Sequence, residues 1–190
     1  MVADEIYDGL DFTGEHVSVA SRSEDVPVVA LNGVSKVYYA PGWRIGYMAL
    51  HDPTNRMGLV RDGLERLLRS RLCASTPAQV GYLAGLEQDR GWMETYSERV
   101  LRRRDHCLKR IAQIDGLEVE QPGGAFYMFV RLTDERWAND DKAFVLQLLH
   151  EEHVLLVHGS GFSPQLGKGH VRLVYLVTLE AVSYTHLTLP

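Results

Sequence analysis

From Thr54 to Ile111 the apolar side chains recur at helical spacing, and on both sides of this block the chain turns to short apolar runs closed by Gly, Pro or Asn. That alternation of periods constrains the fold more than any other feature of the sequence. Met57, Leu59, Val60, Leu64, Leu67 and Leu68 predict a helix over 54–71. Thr76 followed by Pro77 predicts the capped start of a second, and Gly91 interrupts it. Trp92, Tyr96, Val100, Leu108 and Ile111 form the stripe of a third. Ahead of the block, Met1-Val2-Ala3 running into Asp4 reads as the end of a buried strand, and VPVVALNG and RIGYMAL read as two more. After Gly116, LEVEQPGGAFYMFVRL reads as strand, turn and strand, DDKAFVLQLLHEEH as a helix, and VLLVHG and HVRLVYLV as strands. The expectation is an α/β fold. Residues 1–85 belong to a larger α/β layer, 86–113 to a connecting helical region, and 114–181 to a smaller α+β domain.

Composition narrows the function only by exclusion. A net charge of −5 argues against a general nucleic-acid binder, which shows a basic face. No apolar run is long enough to span a bilayer, and no secretory signal opens the chain. Cys73 and Cys107 make no disulfide framework and read as small packing residues in a reducing, cytoplasmic setting. The Arg102-Arg103-Arg104 run reads as the wet face of a helix. His150, His153 and His158 lack zinc-protease spacing and read as solvated helix-end histidines, so no metal is expected.

The stretch LNGVSKVYYAPGWRIGY carries the chemistry. It holds one lysine, Lys36, just after a small-residue turn, and one arginine, Arg44, between two glycines. A loop-held lysine that can lose its proton forms a Schiff base with an aldehyde. The commonest aldehyde partner, pyridoxal phosphate, asks for three further groups. Its phosphate wants a forked, permanently charged guanidinium and close backbone N–H groups. Its pyridine nitrogen wants a carboxylate, and its ring hydroxyl a hydrogen-bond donor. Lys36, Arg44, Asp4 and Tyr7 supply that set, and the glycines and proline bend the chain and let backbone approach an anion closely. Each residue alone reads as a surface group. Only their combination points to a cofactor.

The motifs ADEIYDGL, NGVSKVYYAPGWRIGY, PGGAFYMF, GSGF and VRLVYL, in this order and at these separations, resemble the class I/II aminotransferases of the pyridoxal-phosphate fold type I group. RLCASTPAQ together with NGVSK is similar to the bacterial and archaeal alanine aminotransferases, which exchange amino groups among alanine, pyruvate and glutamate. The resemblance covers residues 1–180 but only the C-terminal half of such an enzyme. It implies part of the large-domain sheet plus the small domain, an amino acid and a 2-oxo acid as substrates, and a homodimer in the full-length enzyme. Residue by residue, it implies that Asp4 pairs with the pyridine nitrogen and Tyr7 bonds the ring hydroxyl. Lys36 forms the cofactor link and moves the proton, Arg44 holds the phosphate, and Ser35 is among the cofactor-binding residues. Arg172 grips the substrate α-carboxylate. Gly33 departs from relatives that carry serine three residues before the lysine, and His158 from those with proline before Gly-Ser-Gly-Phe. Two other readings stay open: an enzyme of the same fold acting on aspartate, aromatic or branched substrates, and an aminotransferase-like sensing domain of a transcription regulator.

Both ends of the chain look foreign to that pattern. The family's stacking aromatic, a glycine-rich phosphate turn and an asparagine at the ring hydroxyl precede the cofactor aspartate and have no counterpart here. At the other end, VSYTHLTLP, residues 182–190, resembles one reading frame of a transposase adapter sequence. The expectation is a fragment that is inactive by itself, with a non-native tail that adds nothing to the fold.

Overall fold

A computed structural model describes residues 1–89 and 91–178 of the chain. It divides into two compact units, one from Met1 to Glu94 and one from Thr95 onward. The tail expectation at 182–190 lies outside the described residues.

The first unit is built on a three-stranded sheet of β1 (Val2–Asp4), β2 (Val28–Gly33) and β3 (Gly46–His51), in that spatial order. β1 and β2 run parallel with Asp4 opposite Leu31, and β3 returns antiparallel with Gly46 opposite Gly33. Central β2 buries Val28, Val29 and Ala30 in succession, as a strand covered on both faces does. β1 is less buried than its apolar sequence predicts: Ala3 alone is inside, while Met1 and Val2 are exposed. Two helices follow, α1 (Gly58–Arg71) and α2 (Thr76–Glu87). α1 begins four residues later than the periodicity predicts. The Asp52 carboxylate accepts the Arg56 and Met57 backbone N–H groups, each at 2.9 Å, and holds the intervening segment as a turn. At α2 the cap position belongs to Ser75 rather than Thr76, with Pro77 in the first turn.

Helix α3 (Gly91–Ile111) restarts at Gly91 and leads into the second unit. Four antiparallel strands follow in the order β4-β5-β7-β6: β4 (Leu117–Val119), β5 (Tyr127–Leu132), β6 (Val157–His158) and β7 (His170–Val174). α4 (Asp141–Glu152) lies between β5 and β6 in sequence, and the Asp140 side chain caps it by accepting the Ala143 N–H at 3.0 Å. β5 alternates strictly. Met128, Val130 and Leu132 are buried, and Phe129 and Arg131 are exposed. The core adds Val171, Leu173 and Tyr175, the α3 stripe Val100, Cys107 and Ile111, and Phe144, Val145 and Leu148 of α4.

Three sequence readings are corrected here. The arginine run is not a wet face. Arg102 is exposed, but Arg103 donates to the Leu176 carbonyl, and Arg104 is buried in the inner stripe of α3. Arg104 places Nε and Nη2 on Asp105 Oδ1 and Nη1 on the Pro122 carbonyl at 3.0 Å, so the stem packs while the fork finds acceptors. His158 is no helix-end histidine; it sits half-buried in β6 with Nδ1 2.9 Å from Ser160 Oγ. Cys73 is exposed, whereas Cys107 packs in the core as expected.

Candidate active site

The parallel pair decides where the chemistry gathers. β1 and β2 present their C-terminal ends at one edge of the sheet, and antiparallel β3 begins at that edge. Asp4 is the last residue of β1, Lys36 follows β2 by three residues, and Arg44 stands two residues before β3. Crevices outside the carboxyl ends of strands are where open α/β sheets bind ligands.

The loop from Val34 to Ile45 is tied by its own backbone. Val34 N–H reaches Ile45 O, Tyr39 N–H reaches Lys36 O, Ala40 N–H reaches Val34 O, and Trp43 N–H reaches Ala40 O. Arg44 adopts a left-handed backbone (φ 52°), and its Nη1 donates to the Pro41 carbonyl at 2.8 Å. Val34 and Ile45 bury against Tyr82 of α2, with Tyr38, Ala40, Ala74 and Ala78 around them. Two glycines on one face of α2 make room for the loop. A Cβ on Gly81 would lie 2.6 Å from the Trp43 ring, and one on Gly85 3.1 Å from Tyr38. Each glycine costs its helix about 1 kcal/mol relative to alanine, and here it admits an aromatic ring. Gly33 and Gly46 face each other across β2 and β3, where a Cβ on Gly33 would stand 2.7 Å from the Ile45 carbonyl oxygen.

Within this frame Lys36 Nζ lies 5.8 Å from the centroid of the Tyr7 ring. The segment carrying Tyr7 is held against the lysine loop at Gly9, whose bare Cα faces Val37. Asp8 steadies the same segment by accepting Asn32 Nδ2 at 2.9 Å. Asp4 is exposed at the strand end, and its Oδ1 accepts the Ile6 N–H at 3.3 Å. Ser35 and Lys36 are half-buried in the turn, and Arg44 is exposed. Thus Tyr7 and Lys36 are neighbours, and Asp4, Ser35 and Arg44 stand at the same sheet edge.

Arg172 belongs to the second unit, at the centre of β7 and opposite Phe129 of β5. Its guanidinium carbon lies 4.5 Å from the ring centroids of both Tyr127 and Phe162. Its Nε is buried and has no hydrogen-bond partner among the described residues. A buried donor without an acceptor is unusual, and an incoming acceptor such as a carboxylate or water would satisfy it. Sequence reasoning named the arginine and missed the two rings. The signal was present, because both rings lie inside quoted motifs, PGGAFYMF and GSGF.

The profile of the family described as aminotransferase class I and II matches residues 1–186. The chain belongs to the class I and II aminotransferases. The glutamate-pyruvate aminotransferase AlaA of Haemophilus influenzae is 36% identical over 182 residues, which are 92% of this chain and 44% of that protein. The alanine aminotransferase of Mycobacterium bovis is 34% identical over 180 residues, 93% of this chain and 42% of that protein. Among solved structures, the alanine aminotransferase from Pyrococcus furiosus superposes with a TM-score of 0.93 at 45% identity, over 98% of this chain and 47% of that one. The chain therefore spans less than half the length of the relatives it matches. Its fold is that of the fold type I aminotransferases, and the family is one of pyridoxal-phosphate enzymes.

The groups at the sheet edge suit that cofactor. A guanidinium answers a phosphate dianion, a carboxylate a pyridinium nitrogen, a phenol a ring oxygen, and a primary amine an aldehyde. Arg44, Asp4, Tyr7 and Lys36 provide one of each.

Proposed function

We propose that this chain carries the lysine-bearing part of a pyridoxal-phosphate aminotransferase that moves an amino group between alanine or glutamate and a 2-oxo acid. The observation that carries the reading is the Lys36 amine 5.8 Å from the Tyr7 ring at the edge where β1 ends in Asp4. The names of the relatives favour alanine over aspartate, aromatic or branched substrates, and favour an enzyme over a sensing domain of a transcription regulator. Assembly as a homodimer belongs to the same reading.

The cofactor, when bound, supplies an electron sink for the pair left on the substrate carbon. Arg44 would anchor the phosphate with its forked guanidinium, and Ser35 would add a further contact to the cofactor. Asp4 keeps the pyridine nitrogen protonated, which a carboxylate does through its own negative charge. Tyr7 donates to the ring oxygen. Lys36 would hold the cofactor through its amine and, once free, would carry the proton taken from the substrate Cα. Arg172 receives the α-carboxylate through two parallel hydrogen bonds. The rings of Tyr127 and Phe162 keep water from its faces, which strengthens that pair.

The test is transamination of alanine with 2-oxoglutarate by a full-length enzyme containing this chain. Lys36→Ala abolishes turnover and the cofactor absorbance of the lysine adduct, whereas the 190-residue chain alone shows no appreciable rate. Full activity in Lys36→Ala overturns the assignment. Light scattering on the same protein checks the dimer.

A further inference from the structure

Asp141 is a buried carboxylate at the first turn of α4 with no place in the chemistry above. Its Oδ2 accepts the Ser160 backbone N–H at 2.7 Å and stands 4.0 Å from His158 Nδ1. Ser160 sits in the short 3-10 turn Gly159–Gly161, which is followed directly by Phe162. Gly169 leads directly into β7, which carries Arg172. One carboxylate thus fastens the turn that presents the ring.

The surroundings leave that turn little freedom. Gly159 and Gly167 touch backbone to backbone, so closely that a Cβ on either would overlap the other's carbonyl. Gly169 has a left-handed backbone (φ 71°) against the Ala138 carbonyl. The Ser160 hydroxyl lies 2.9 Å from His158 Nδ1, so the histidine side chain is tied to the same turn. The Asp141 carboxyl is held below the usual carboxylate range. Burial pushes it up, and hydrogen bonding led by Ser160 outweighs that push.

We propose that Asp141 is the positioning residue of the Arg172 carboxylate clamp, fastening the turn before Phe162 so that the ring stays in place over the guanidinium; this rests on the reading of Arg172 as the substrate-carboxylate site. Ser160 and His158 extend the fastening, which gives a role to the histidine that replaces proline before Gly-Ser-Gly-Phe.

The test is arginine modification by phenylglyoxal on the 190-residue chain, followed residue by residue with peptide mass spectrometry. Phe162→Ala is the positive control and speeds labelling of Arg172. Asp141→Asn is expected to speed it about three- to tenfold, the gain in open population that losing a charged hydrogen bond allows. Buried Arg104 reports general loosening and stays protected if the effect is one of positioning. An unchanged rate at Arg172 in Asp141→Asn, or an equal rise at Arg104, overturns the proposal. Should Asp141→Asn fail to melt cooperatively, Ser160→Ala decides in its place, with a smaller rise at Arg172 alone expected and no rise overturning the proposal. Pyruvate separates the two layers of the argument. Protection of Arg172 by pyruvate in the parent chain with no effect of Asp141→Asn overturns the positioning role alone. Absence of protection in the parent overturns the carboxylate site, and the clamp with it.

Discussion

Helices α1 and α4 carry comparable numbers of leucines and valines, yet they end in opposite situations. α4 buries Phe144, Val145 and Leu148 against the second unit's sheet. α1 buries nothing: Leu59 and Leu67 are 88% and 69% exposed, and Leu72 just beyond it is 88% exposed. α2 continues the contrast, with Val80 and Leu83 on the outside and only Tyr82 buried. Periodicity reports which face of a helix is apolar, not whether anything in the same chain covers it. A leucine side chain contributes its roughly 2 kcal/mol only when water is removed from it. The second unit thus owes its order to its own core. The first holds its lysine loop through one small cluster around Val34, Ile45 and Tyr82.

The two cysteines offer the sharpest test of that contrast. Cys107 sits in the second unit's core, where burial pushes its thiol up to about 12, while Cys73 in the first unit is exposed. At neutral pH this leaves Cys107 about a thousandfold less thiolate than an ordinary cysteine. A thiol reagent should modify Cys73 promptly and Cys107 only on unfolding. Prompt labelling of both would mean the second core is not closed. Next in size is truncation of a core residue. Leu148→Ala should lower unfolding free energy by about 2–5 kcal/mol in a denaturant titration, because Leu148 is fully buried. A loss below 1 kcal/mol would erase the distinction between the units.

Acid should separate them more gently. A carboxylate depressed in the folded state, as Asp141 is, adds stability above its unfolded value of about 4 and loses it as pH falls through the lower folded value. The second unit should melt at lower temperature as pH drops below about 4, and Asp141→Asn should flatten part of that slope. An acid slope identical in parent and variant contradicts the hydrogen-bonded carboxylate. The smallest effect belongs to α1. Leu67→Ala should change stability by no more than about 0.5 kcal/mol in the same titration, and a loss comparable to that of Leu148→Ala would show that something covers the helix.

Much of this architecture could be read from residues alone. The strand-turn-strand reading of LEVEQPGGAFYMFVRL placed β4 and β5 correctly, and Gly91 marked the break between two helices. The family followed from ordered motifs. What escaped was set by partners distant in sequence. Arg104 looked solvated because its acceptor, the Pro122 carbonyl, is a backbone atom that no pattern announces. The Asp141–Ser160 bond joins residues nineteen apart with no periodic relation. α1 started late because one side chain, Asp52, outcompeted the first helical turn for two N–H groups. Tyr127 and Phe162 were in view as motif letters, but their convergence on Arg172 needs the antiparallel register of β5 and β7 and the turn beyond β6.

The left-handed backbone at Arg44 has a consequence for how such a loop can change over time. For an L-residue with a side chain that conformation costs on the order of 1 kcal/mol, and glycine would adopt it without penalty. Tyr39, five residues earlier in the same loop, is left-handed too (φ 56°). Drift toward local comfort would replace both with glycine or asparagine, relaxing the loop and discarding its guanidinium. A lineage that keeps arginine at position 44 accepts a standing conformational tension there, one that selection for stability alone would remove.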